Sequence, residues 1–121
     1  MHEFSICRAL VDAIVAEMKR VEAPRPFRLV EARVVVGSMR RIVPDILQTA
    51  YKIMTKDTPA AGSSLRIIKA PTIVKCGKCG WTGEIEDVFF RCRNCGDTAV
   101  ELTGGMELYL DNLKIESDEQ S

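Results

Sequence analysis

A chain of 121 residues, 46% apolar and 28% charged, has the composition of one globular domain, or of one domain carrying a small insert. Seventeen basic residues balance seventeen acidic ones, and this zero net charge argues against nucleic acid as the main partner, since phosphate binding calls for a basic face. No apolar run approaches the roughly 18 residues of a membrane span, and the opening lacks the basic-then-apolar pattern of a secretion signal, so the expected location is the cytoplasm, where thiols stay reduced.

The first predicted element is an amphipathic helix over residues 3–22, with Phe4, Cys7, Leu10, Val11, Ile14, Val15, Met18 and Val21 on one apolar face. Glu3 suits the positive end of its dipole, Lys19 and Arg20 suit the negative end, and Pro24 and Pro26 close it. Cys7 falls on the apolar stripe and reads as a small core hydrophobe. Residues 27–36 are rich in branched side chains and predict a strand closed by Gly37, central in its sheet because its last residues are apolar on both faces. Ser38 to Arg41 form a loop. Pro44 opens a second helix, in the first turn where its missing N–H costs little, with Ile46, Leu47, Ala50, Tyr51 and Met54 facing the core.

Residues 58–64 read as a turn-rich loop and 65–69 as a second strand, with Pro71 breaking the chain before 72–75. Ala99–Leu102 closes the following segment, Gly104-Gly105 is a natural hinge, and Met106–Leu110 alternates as a strand with one solvated face. The tail from Ser117 is polar and expected to fray. The order implies an α+β fold: a small mixed three-stranded sheet with two helices, formed by residues 1–72 and 106–121, carrying an inserted zinc-ribbon-like subdomain at 73–105. The insert falls below the roughly 40 residues at which domains need a metal or disulfides to fold.

That help is supplied by Cys76-Gly-Lys-Cys79 and Cys92-Arg-Asn-Cys95, two Cys-x-x-Cys hooks that bring four thiols within reach of one tetrahedral ion. Zinc is the expected occupant, and four thiolates leave no open position for substrate, so its role is structural. Two disulfides would leave a fifth cysteine over and do not suit the expected compartment. Gly77, Gly80 and Gly96 stand where the hooks turn back. Trp81 and the Phe89-Phe90 pair are expected to cover the metal loops rather than to stack on bases.

The single histidine follows the first methionine. A bulky second residue leaves that methionine in place, so the mature chain is expected to begin with the free amine of Met1. From that amine, chelation closes a five-membered ring to the His2 amide and a six-membered ring to imidazole Nδ1. Three nitrogens in one plane suit a tetragonal ion such as nickel(II) or copper(II), with the amide or carboxylate of Glu3 as a further ligand. Geometry alone does not choose between the two metals. Terminal amines and imidazoles titrate near about 8 and 6.5 in model peptides, so acid weakens such a site.

The opening Met1-His2-Glu3-Phe4-Ser5-Ile6, the strand end Val35-Val36-Gly37 and the two cysteine hooks together resemble the HypA/HybF family of nickel metallochaperones, over essentially the whole chain. The resemblance implies nickel held by the terminal amine, His2 and nearby backbone nitrogens with Glu3 assisting, and zinc held by Cys76, Cys79, Cys92 and Cys95. It implies a non-enzymatic role, with the HypB GTPase and the [NiFe] hydrogenase large subunit as partners, urease as a further recipient in some members, and a monomer or homodimer. Ser38-Met-Arg-Arg41 departs from relatives, which often carry an acidic or small-residue turn there. The competing expectation is a zinc-ribbon nucleic-acid-binding protein, using Lys75, Lys78, Arg91 and Arg93 on the hooks, though Glu84, Glu86 and Asp87 lie among them. A metal-dependent hydrolase finds no open zinc site or base-and-nucleophile pair.

Overall fold

Residues 2–86 and 90–117 are described by the computed structural model. In chain order they form α1 (His2–Arg20), β1 (Phe27–Gly37), a 3-10 turn (Ser38–Arg40), α2 (Pro44–Thr55), β2 (Ser64–Ala70), β3 (Ile73–Cys76), β4 (Thr82–Glu84), β5 (Val100–Gly104) and β6 (Leu108–Ser117). Two three-stranded sheets result, ordered β2-β1-β6 and β4-β3-β5. The chain divides into two compact units, one of Met1–Val34, Ile42–Ile68 and Tyr109–Ser121, the other of Val35–Arg41 and Lys69–Leu108.

In the first unit, α1 buries Cys7, Leu10, Val11, Ile14 and Met18 against α2. The apolar stripe differs from expectation at its start, where Phe4 is 36% exposed and Glu3 only 6%. A stripe through residues 7, 10, 14 and 18 extrapolates back to position 3, so the carboxylate is carried inward by helical geometry. The helix stops at Arg20 rather than 22. Beyond it, the Arg25 guanidinium donates to the Met18 and Val21 carbonyls at 3.3 and 3.2 Å and lies 4.7 Å from the Phe27 ring centroid. Carbonyls left over at a helix end are thus satisfied by a cation, which the dipole also favours.

Pro44 occupies the first turn of α2, as expected. The helix buries Leu47, Ala50, Tyr51 and Thr55, whereas Ile46 is exposed and Met54 half-buried, a narrower face than the sequence suggests. The loop that follows is pinned. Tyr51 Oη pairs with Ser63 Oγ at 2.6 Å, and Gln48 Nε2 donates to the Leu65 carbonyl at 2.7 Å. Cys7 is fully buried, and desolvation pushes its thiol up to about 11, as befits a core side chain.

β1 is the central strand, as its doubly apolar end implies. Arg28 meets Glu116 at 2.6 Å and Arg33 meets Asp111 at 3.9 Å, so equal steps run in opposite directions along β1 and β6, an antiparallel pairing. In contrast, Ser38 Oγ, just past the end of β1, donates to the carbonyl of Ala70 at the end of β2 at 2.7 Å. Adjacent strands whose ends coincide are parallel, and α2 is the crossover such a pair needs. The sheet is therefore mixed.

β6 differs most from its prediction: it starts at Leu108, not at 106, and runs on to Ser117. The half-buried positions step by three from Leu110 to Leu113, which breaks the period-2 pattern that would have exposed the strand in the sequence. β1 makes the same three-residue step from Leu29 to Ala32. Beyond Ser117, the expected frayed tail lies outside the described residues.

In the second unit β3 pairs antiparallel with both neighbours, Val74 opposite Gly83 on β4 and Leu102 on β5. β4 was not foreseen; three residues, Thr-Gly-Glu, carry no strand pattern of their own. The Gly104-Gly105 pair expected as a hinge is a close-packed crossing. Gly37 N–H donates to the Glu107 carbonyl at 2.7 Å and Met39 N–H to the Gly105 carbonyl at 2.8 Å. A Cβ on Gly37 would lie 2.0 Å from the Gly105 oxygen, with backbone on the far side and nothing flexible to yield. Gly37→Ala is expected to destabilise the protein by about 1–3 kcal/mol or more, read as a lowered thermal midpoint with unchanged composition of bound metal in the folded fraction.

Candidate metal centres

Each cysteine hook is built the same way. Lys78 and Cys79 amides donate to Cys76 Sγ at 3.3 and 3.4 Å, and Asn94 and Cys95 amides donate to Cys92 Sγ, both at 3.3 Å. The turn closes through Gly80 N–H to the Cys76 carbonyl at 3.0 Å and Gly96 N–H to the Cys92 carbonyl at 2.9 Å. Gly80 and Gly96 take φ of 81° and 79°, a left-handed conformation that side-chain-bearing residues adopt at a cost. Gly77 is different: its N–H donates a hydrogen bond to the Ala99 carbonyl at 2.7 Å.

The two hooks face each other with all four sulfurs within 4.8 Å. Cys76 and Cys95 sulfurs are 3.7 Å apart, and those of Cys79 and Cys92 are 3.6 Å apart. A tetrahedron with metal–sulfur bonds of about 2.3 Å has edges of about 3.8 Å, so the array fits a zinc-sized ion. Disulfide sulfurs would be about 2.05 Å apart, and all five cysteines are free thiols. Cys76 and Cys92 are buried while Cys79 and Cys95 are exposed, so each hook anchors one sulfur in the unit and presents the other outward.

Electrostatics set the order in which protons leave. The Asn94 side chain, 3.5 Å away, and then the Trp81 amide draw the Cys79 pKa down to about 6. The Cys79 amide holds Cys76 below its ordinary value as well. At Cys95 the Asp97 amide acts downward, but desolvation and the crowded thiols of Cys76, Cys92 and Cys79 outweigh it and push the pKa up to about 11. Four thiolates so close repel one another, and a dication removes that penalty.

The aromatic cover is partial. Trp81 is half-buried and lies over Gly83, where an added Cβ would come within 2.5 Å of its ring, while Phe90 is exposed and Phe89 lies outside the described residues. Of the basic side chains on the hooks, Lys78 Nζ meets Asp97 at 3.4 Å and Arg93 donates to the Glu84 carbonyl at 3.3 Å, while Lys75 is the register partner of Glu101 in the sheet. The result is a mixed-charge face.

At the start of α1, His2 is the first residue of the helix with its side chain 54% exposed, and its Nδ1 is 3.9 Å from Glu3 Oε1. Glu3 turns inward, and its Oε2 accepts the Val43 N–H at 3.1 Å. That bond, followed by one from its own amide, lowers the Glu3 pKa below its ordinary range. Met1 lies outside the described residues. The structure thus gathers the four cysteines and sets His2 beside Glu3. It also adds two participants that sequence reasoning missed, Asn94 and Val43. Asn94 was visible as a polar residue inside a hook; Val43, forty positions from Glu3, carried no signal.

The family model described as "Hydrogenase/urease nickel incorporation, metallochaperone, hypA" matches residues 1–115. The hydrogenase maturation factor HypA of Desulfatibacillum aliphaticivorans is 30% identical over 120 residues, covering 99% of this chain and 91% of that protein. Its counterpart in Nitrosospira multiformis is 32% identical over 115 residues, covering 95% and 97%. Among solved structures, the solution structure of the Ni metallochaperone HypA from Helicobacter pylori superposes with a TM-score of 0.65 at 18% identity, covering 96% of this chain and 98% of that one. A second, the solution structure of a HypA protein, gives a TM-score of 0.69 at 19% identity with 98% of both chains covered. At these identities the likeness is one of fold.

In metal-free protein, where residues 73–105 lose the fold that a bound ion supports, the four hook thiols are expected to alkylate before Cys7, which stays buried in the first unit with a pKa near 11. Peptide mapping after timed iodoacetamide quenching reads this order, and early labelling of Cys7 would contradict it.

Proposed function

Since this chain belongs to the HypA family of hydrogenase/urease nickel-incorporation metallochaperones, we propose that it binds Ni(II) at its N-terminus and delivers it during maturation of [NiFe] hydrogenase. The nickel ligands in this reading are the amine of Met1, the amide and imidazole of His2, and Glu3. The observation that carries it is the placement of the sole histidine: exposed, at the first turn of α1, where backbone N–H groups have no helical acceptor. An amide that donates no helical bond has no helical hydrogen bond to lose when it is deprotonated to bind metal. An exposed end also allows the cargo to leave, since a recipient can approach the ion from outside.

Cys76, Cys79, Cys92 and Cys95 hold Zn(II) in the same reading, as a structural ion without an open position. Residues 1–72 with 106–121 then make the nickel-binding domain and 73–105 the zinc-binding subdomain. The proposed partners are the HypB GTPase and the hydrogenase large subunit, with urease as a further recipient, in the cytoplasm, and the chain itself a monomer or homodimer. The family is one of metallochaperones and maturation factors, and the proposed role involves no catalysis. Among the described residues, no helix is long and apolar enough to cross a membrane.

His2→Ala, or a tag placed before Met1, is expected to abolish nickel uptake in equilibrium dialysis while leaving zinc content and the circular dichroism spectrum unchanged. Unaltered uptake in either protein would overturn the nickel site. Cys92→Ser is expected to release zinc and unfold residues 73–105, with only an indirect effect on nickel. A wild-type melt and wild-type zinc content in that variant would overturn the zinc site.

A further inference from the structure

We infer that the Glu3 carboxylate is a positioning group and not a nickel ligand: it clamps the first turn of α1 to the start of α2 and so fixes the end of the chain that grips the metal. This rests on the nickel reading above and narrows it by taking the Glu3 carboxylate out of the ligand set. The carboxylate is already committed. It is 6% exposed, and its Oε2 takes the N–H of Val43 at 3.1 Å, across forty residues of sequence.

α2 has no cap of its own. Val43 at its N-cap has an apolar side chain, and Pro44 follows with no N–H. A negative charge at this end of α2 complements the helix dipole, so Glu3 serves as a cap supplied by another helix. To ligate a metal at about 2.0–2.1 Å the carboxylate would have to leave this pocket, stranding the Val43 N–H. Its second oxygen, Oε1, lies 3.9 Å from His2 Nδ1, too far for a hydrogen bond, so the carboxylate acts on the site through the backbone it fixes. Groups that support a metal site from outside its ligand set cost about 10- to 100-fold in metal affinity when removed.

The two roles separate in three variants of the untagged full chain, compared with wild type by nickel titration and by the absorption spectrum of the nickel complex, with circular dichroism and zinc content as controls of folding. Glu3→Gln keeps an acceptor for Val43 N–H but loses the anion. It is expected to bind nickel within a few-fold of wild type with the same spectrum. Glu3→Ala loses the clamp and is expected to bind about 10- to 100-fold more weakly. Val43→Pro keeps the carboxylate and removes the N–H that it accepts. Val43 has φ −88° and ψ 111°, an extended conformation slightly beyond proline's usual φ and near the range of a residue preceding proline. It is expected to weaken nickel binding as Glu3→Ala does. If Glu3→Gln falls as far as Glu3→Ala with an altered spectrum, or Val43→Pro binds as tightly as wild type or tighter, the carboxylate is a ligand and the inference is overturned. Failure of the nickel reading looks different: His2→Ala would then bind as wild type does.

Discussion

Four sulfur atoms held within 4.8 Å are the constraint on which the second unit depends. Among its described residues the buried apolar side chains are Val35, Val36, Val74 and Ile85, joined by Cys76 and Cys92. So few aliphatic groups do not offset the entropy of ordering the backbone around them. Two of the six are themselves members of the sulfur cluster, which makes core and metal site one object. Each hook ties its first sulfur down with two amides and a glycine turn, and the β4-β3-β5 sheet aims the Cys76 hook from the end of β3. The remaining requirement is to keep like-charged thiolates together, and a dication meets it. This is why the sheet strands here are short: they position ligands and are not the source of stability.

What was legible in the sequence was whatever is encoded over a few residues. The hooks could be read because i, i+3 spacing fixes both ends of a turn, and Pro44 and Gly37 could be read because each restricts or permits the backbone locally. The features that escaped are set at long range. β4 is a strand only because β3 offers it a partner, and β6 hides beyond Leu110 because two strands shift phase together. Glu3 was read correctly as a charge at a helix start, but its burial follows from the stripe it extends and from an N–H that arrives with α2. Polarity argued outward; geometry placed it inward, and the hydrogen bond removed the objection.

The same reasoning separates the two sets of donors chemically. Soft thiolates in a closed tetrahedron select an ion with no geometric demand of its own and leave it nothing to exchange. Nitrogen donors at a chain end, in the reading proposed here, select by planarity and leave the axial directions open. Intrinsic affinities rise toward copper in any nitrogen-rich set, so the N-terminal site does not discriminate by strength alone. In that reading, discrimination would come from how narrowly the donors are held to one plane, and a frayed terminus would hold them loosely.

This places a physical demand on whatever fixes the first turn of α1. In the proposed nickel reading, the terminus must stay accessible enough to surrender its cargo, yet ordered enough that three nitrogens lie in a plane before the metal arrives. Helix propensity does not supply that order, since the first residues of any helix lack half their hydrogen bonds and fray. Packing supplies only part of it, because Phe4 is 36% exposed and His2 is mostly exposed. One contact that enters this turn from elsewhere in the chain is the Val43 amide on the Glu3 carboxylate. A buried carboxylate next to an exposed imidazole therefore reconciles the two requirements: the neighbour is fixed so that the ligand need not be buried.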